Sequence, residues 1–154
     1  KLITSTIDSR TNSDISPKYS SIIADMTSSE ARLLRDIYFN TGTVVPFASL
    51  KIENKSDHSS RNLGQYFLLF DNYSDNKKML ELSLLESSNL IRFHKNIKLV
   101  HPHFADIINT FTNTFPNNLN ELSPDLSDDE EVVFEHSYYD LTELGESFCK
   151  IVFS

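Results

Sequence analysis

Cysteine is nearly absent: Cys149 is the one thiol in 154 residues. A single thiol closes no internal bridge, which excludes a disulfide-stapled secreted domain and leads to the expectation of a reducing cytosol. Glycine is scarce as well, and Gly42, Gly64 and Gly145 stand far apart. That spacing excludes a glycine-rich loop cradling a phosphate and a glycine-flanked serine nucleophile. No apolar run approaches the roughly 18 residues that a membrane-spanning helix needs, so no membrane insertion is expected. No basic-then-apolar leader opens the sequence. It begins with Lys1 rather than Met, so a fragment of a longer chain is expected.

Positive charge is missing from the last third. Residues 99–154 carry one basic side chain, Lys150, against eleven acidic ones, whereas residues 1–98 carry thirteen basic and eleven acidic. The net charge of −8 is therefore concentrated in the C-terminal part. Such a field repels phosphate backbones and suits a basic partner or simple solubility.

What is present is core material. Hydrophobic residues make up 39% of the chain, with eleven Phe and six Tyr. That content is too high for a disordered chain and suffices for one domain spanning residues 1–154. Leu2, Ile3 and Ile7 read as the tail of a helix. Ser16-Pro17 reads as a cap followed by proline at the first helical position, opening a helix over 17–26. Thr27-Ser28-Ser29-Glu30 has the form of a capping box, opening a second helix over 28–39. Val44 to Ile52 alternates loosely and contains Pro46, which suggests an edge strand or an extended connection. Residues 53–65 are polar and read as a loop, and residues 66–70 as a short strand.

Asp75 is placed to cap a helix over 76–88, with Met79, Leu80 and Leu84 along one face and Leu82 and Leu85 widening it. Asn89 suits a left-handed helix end. Ile91 to Val100 reads as a strand. Phe104, Ile107, Ile108, Phe111 and Phe115 form an amphipathic stripe between Pro102 and Pro116, expected to serve core or subunit packing. Residues 116–131 read as a mobile loop and residues 132–139 as a strand. Thr142 is expected to cap a last helix.

His101 and His103 flank Pro102, but no third ligand stands at a familiar spacing, and His94 or His136 would join only if the fold gathered them. Asp128-Asp129-Glu130-Glu131 lacks the alternating oxygens and central Gly of a calcium loop. Cys149 sits beside Phe148 and reads as a buried, inert thiol. No catalytic residue, metal site or cofactor is expected, and the reading is non-enzymatic.

Two resemblances follow from these segments. Ser88-Asn89-Leu90-Ile91, a strand, a long insertion, a second strand and Leu141-Thr142-Glu143-Leu144-Gly145 resemble a winged helix, with Asn89 where a Gly usually stands. The expected fold is therefore mainly helical α+β, with a helical part at 1–40 and a winged-helix-like part at 66–154 carrying a helix-containing insertion in the wing. Leu2 to Asp8, Pro17-Lys18-Tyr19-Ser20-Ser21-Ile22-Ile23 and Met26 to Leu34 resemble the abortive-infection alpha family. Leu82, Leu85, Leu90 and Ile91, then Leu141-Thr142 with Gly145 and Phe148, are similar to its C-terminal segments. Ser16 replaces the family's usual His, and the family's longer N-terminal region is missing from this sequence, as expected of a fragment of a longer chain.

The resemblance implies a cytoplasmic bacterial protein of the phage-defence type that binds or senses a macromolecule. It assigns no catalytic residue. The partner expected from the charge map is another protein or a second copy, met by Asp128, Asp129, Glu130, Glu131, Glu143 and Glu146. The alternative is duplex DNA, met by Lys77 and Lys78 on the 76–88 helix, where Glu81 and Glu86 offset them.

Overall fold

The computed structural model describes residues 16–153. The expected helix tail at Leu2, Ile3 and Ile7 lies outside that range. The elements are α1 (Pro17–Asp25), α2 (Ser28–Phe39), β1 (Val44–Asn54), β2 (Ser60–Leu69), β3 (Ser74–Asp75), α3 (Met79–Ser87), β4 (Ile91–His94), α4 (Pro102–Thr112), β5 (Glu130–Leu141) and α5 (Glu143–Val152). Short 3-10 turns occupy Thr41–Thr43 and Leu119–Leu122. The five strands form one antiparallel sheet in the order β3-β2-β1-β5-β4.

This corrects the expected fold class. Among the described residues helix accounts for 42% and strand for 28%, a mixed α+β composition. β1 and β2 lie in the N-terminal half, so that half is not a helical one. The strands expected to make a wing do not stand apart as a pair, because β5 lies between β1 and β4 in the larger sheet. The sequence pattern misled for a physical reason. From Val45 to Leu50 every residue of β1 is buried, so there is no polar face to alternate with the apolar one. Pro46 sits just ahead of the paired stretch, which begins at Phe47 opposite Leu68, and so costs no hydrogen bond on that side of an interior strand.

The polar stretch read as a loop holds the start of β2, exposed and pairing with β1 through Ser60 opposite Glu53. A bulge follows: the partners step from Leu50–Gln65 to Lys51–Asn62, and Gly64 in the extra stretch takes φ +75°. β4 ends at His94 rather than reaching Val100, because Asn96 turns with φ 57° and its N–H donates to the Ser137 hydroxyl at 2.9 Å.

The chain divides into two compact units. Among the described residues the first comprises 16–44, Lys78–Arg92 and 140–153. Its helices start where the caps dictate. The Lys18 N–H meets the Ser16 hydroxyl at 3.2 Å, and Thr27 and Glu30 exchange both capping-box bonds, at 3.2 and 2.9 Å. α2 packs against α3 and α5. Leu33, Leu34 and Ile37 of α2, Leu82 and Leu85 of α3, and Phe148, Cys149 and Val152 of α5 are all buried. Tyr19 meets Phe148 edge-on at 5.6 Å between ring centroids.

The second unit comprises Val45–Lys77 and Phe93–Tyr139. Its core lies under α4. Ala48, Leu69 and Ile108 are buried together, with Ile107, Phe111 and Phe134 packed around them. Leu50, Ile52 and Val132 form the neighbouring cluster. Phe67 meets Phe111 at 4.9 Å, and Phe115 meets Phe134 at 5.2 Å. The phenylalanine stripe is therefore core material. Part of the stretch 116–131 is packed as well: Leu119, Leu122 and Leu126 lie against the second cluster, and Asn120 accepts the Val132 N–H at 2.9 Å.

Candidate functional site

The acidic residues singled out in the sequence differ in what they are free to do. In the second unit Asp128 and Asp129 are exposed. The Asp129 carbonyl accepts the Lys55 N–H at 2.7 Å, which fixes the backbone and leaves the carboxylate outward. Glu130 is half-buried and occupied. It accepts the Ser127 N–H at 3.1 Å and faces Arg61 at 3.4 Å. The Ser127 N–H is the main cause holding the Glu130 carboxyl below the usual carboxylate range, with Arg61 adding to it. Glu131 is half-buried. The four acids are thus two outward charges followed by two that open β5.

In the first unit Glu143 and Glu146 are exposed in the first turn of α5, where carboxylates complement the helix dipole. The Thr142 hydroxyl caps that helix by accepting the Gly145 N–H at 2.9 Å.

The lysines of the nucleic-acid alternative are not on a helix surface. Lys78 is the N-cap residue of α3 and Lys77 precedes it, its N–H bonded to Asp75 at 2.9 Å. The helix expected over 76–88 begins only at Met79, because Asp75 holds residue 77 in a turn. Glu81, expected to offset those lysines, is engaged within the first unit. Its Oε1 accepts the Ser29 hydroxyl at 3.2 Å, and its Oε2 is buried with no hydrogen-bond partner among the described residues. α3 buries Leu82 and Leu85 and leaves Leu80 69% exposed, with Met79 and Leu84 also at the surface.

The histidines are dispersed within the second unit. His94 stacks on Tyr138 at 4.3 Å, and His136 lies 5.9 Å from the Phe134 ring. His101 Nδ1 accepts the His103 N–H at 3.2 Å, capping α4, and His103 Nε2 lies 3.1 Å from Asp71. Burial, with Lys98 nearby, pushes the His136 pKa below its ordinary value. Among the described residues no group of three or more His, Cys, Asp and Glu is placed to hold a metal ion. Burial pushes the Cys149 thiol up to about 12, with Glu146 adding to the effect. No helix among the described residues is long and apolar enough to cross a membrane.

One feature escaped the sequence reading. A cavity of about 290 Å³ opens between the β2–β3 turn and α4, lined by Leu69 and Tyr73 on one side and Asp106, Ile107, Thr110 and Phe111 on the other. The i, i+4 spacing of Asp106 and Thr110 was visible, but nothing in the sequence tied it to a turn more than thirty residues upstream.

Among curated proteins nothing matches this chain. A solved structure described as an uncharacterized protein from the hydrocarbon-degrading marine bacterium Alcanivorax borkumensis SK2 is similar over 89% of this chain and 93% of that one, at 13% identity and a TM-score of 0.43. The family model described as abortive infection alpha matches residues 1–152, and the chain belongs to that family.

Proposed function

We propose that this chain serves bacterial phage defence as a non-enzymatic module that binds or senses another macromolecule, and that its partner is a protein presenting a basic surface. Family membership supports the defence role. The observation that carries the choice of partner is the outward placement of Asp128 and Asp129 within a segment, residues 99–154, that holds a single basic residue. Unpaired surface carboxylates steer a basic partner and repel a phosphate backbone. Glu143 and Glu146 add exposed negative charge in the other unit.

Two experiments test this reading. Expression of the full-length gene in bacteria challenged with phage should lower the plaque count, and equal counts with and without the gene would remove the defence role. For the contact itself, Asp128→Lys with Asp129→Lys is the appropriate reversal. Changing Glu130 as well would break its bonds to Ser127 and Arg61 and confound the fold. The double variant should keep the wild-type circular dichroism and lose the partner in a pull-down. Wild-type binding should weaken as salt rises, since the Debye length is already about 8 Å at physiological ionic strength. A partner retained by the double variant at low salt would sink the electrostatic account.

A further inference from the structure

We infer that the cavity between the β2–β3 turn and α4 is a binding site for a small organic cation, an alkylammonium or diamine. The proposal does not rest on the defence reading. At about 290 Å³ the cavity lies at the small end of the roughly 300–1,000 Å³ typical of ligand pockets, so it suits a compact molecule. Its lining comes from two elements of the second unit. On one side the chain leaves β2 at Leu69, turns through Asp71 and Asn72, and returns at Tyr73 and Ser74. That turn is closed by the Phe70 N–H bonding the Tyr73 carbonyl at 2.8 Å, and the Phe70 and Tyr73 rings stack at 4.8 Å. On the other side stands the face of α4 that presents Asp106, Ile107, Thr110 and Phe111. Asp71 and His103, 3.1 Å apart, tie the turn to the first turn of that helix.

The chemistry of this lining selects the ligand. Leu69, Ile107 and Phe111 supply an apolar wall suited to methylene groups, and Leu69 is almost fully buried beneath the core of the unit. Two lining residues are carboxylates, Asp71 and Asp106, and none is Lys or Arg. Asp71 is already engaged by His103, whereas Asp106 is exposed and has no ion-pair partner among the described residues. Tyr73, 49% exposed, adds an aromatic edge to the lining from its place beside Phe70. The Thr110 hydroxyl, one helical turn from Asp106, supplies an acceptor for a second N–H. An anion would meet carboxylates without a counter-charge, and a neutral hydrocarbon would leave Asp106 desolvated and unpaired. An ammonium group on a short alkyl chain satisfies both halves of the lining.

The test is calorimetric titration of the full chain with 1,4-diaminobutane, with butane-1,4-diol as the uncharged counterpart. Saturable one-to-one binding of the diamine is expected, with the diol about tenfold weaker or worse. Asp106→Asn should weaken the diamine about tenfold without changing the melting temperature, since this side chain is exposed. Asp128→Asn, which removes an equal charge elsewhere, should leave binding unchanged. Filling the cavity with Thr110→Trp should abolish binding. No saturable binding, equal binding of diamine and diol, or equal losses in Asp106→Asn and Asp128→Asn would each overturn the proposal. The last result would mean that the diamine answers only to net charge.

Discussion

The Thr142 hydroxyl donates to the Asn89 carbonyl at 2.6 Å while accepting the Gly145 N–H at 2.9 Å. One side chain thus starts α5 and ties that start to the chain leaving α3. The Thr142 N–H adds a bond to the Leu90 carbonyl at 3.0 Å. Thr142 is buried, so its bond from the Gly145 N–H is sheltered from water. Thr142→Val should cost about 1–2 kcal/mol, the usual loss for a helix cap, and Thr142→Ser should recover most of it. Urea unfolding with an unchanged slope would measure the difference. Equal stability of the Val and Ser variants would show that the hydroxyl contributes little.

Gly145 completes that junction by having no side chain. A Cβ there would collide with the Leu90 carbonyl, which is backbone and has no rotamer to yield. Gly145→Ala should therefore destabilise by about 2–3 kcal/mol, although alanine is the better helix former by about 1 kcal/mol. A variant as stable as the wild type would mean that α5 can shift away from Leu90 at little cost.

Asn89 should be improvable. α3 ends in a Schellman arrangement, with the Asn89 N–H on the Glu86 carbonyl at 2.9 Å and the Leu90 N–H on the Leu85 carbonyl at 3.1 Å. Asn89 takes φ 61°, a conformation that glycine adopts without steric penalty. Asn89→Gly should be neutral or stabilising by a few tenths of a kcal/mol, and Asn89→Ala should destabilise by about 1 kcal/mol. A shift in thermal midpoint of the same sign for both variants would contradict this account.

Local signals were legible in the sequence where they are physically local. The capping box at Thr27 and Glu30, the Ser16-Pro17 start, the Thr142 cap and the left-handed Asn89 each involve a few adjacent residues, and each stands where the sequence placed it. The phenylalanine stripe was legible because only one face of α4 is covered. The sheet was not. β1 is buried on both faces and shows no period, and exposed β2 residues such as Arg61 and Asn62 look like loop residues. Pairings such as Lys51 with Glu135, 3.1 Å apart, join residues 84 positions away. At the candidate contact, exposure of Asp128 and Asp129 followed from polarity. The occupation of Glu130 by Ser127 and Arg61 did not, because it depends on where β2 lies.

His136 should make the protein acid-sensitive. Burial first, and the positive charge of Lys98 second, hold its pKa below the ordinary 6.5. The unfolded chain therefore takes up a proton that the folded chain refuses. The stabilisation is fully present above pH 6.5 and is lost as the pH falls below that value toward the folded pKa. His136→Gln should flatten the decline of urea midpoints between about pH 7 and pH 5. An equally steep decline in that variant would assign the acid sensitivity to other groups.

Cys149 provides the last test, at the opposite end of the pH scale. The thiol is fully buried in α5, and burial pushes its pKa up to about 12, with Glu146 adding to the rise. Near pH 8 the thiolate fraction in the folded protein is of order one in ten thousand, by the logarithmic definition of a pKa near 12. A disulfide reagent should therefore label the native chain only as fast as the helix opens, and label it promptly in guanidinium. Because the folded pKa is raised, the linked stability is fully present below the unfolded value of 9.0 and declines as the pH rises from there toward about 12. Cys149→Ala should remove that alkaline decline while costing about 1 kcal/mol of packing at neutral pH. Rapid stoichiometric labelling of the native protein at neutral pH would show that α5 opens readily, and the buried position of Cys149 would then not describe the protein in solution.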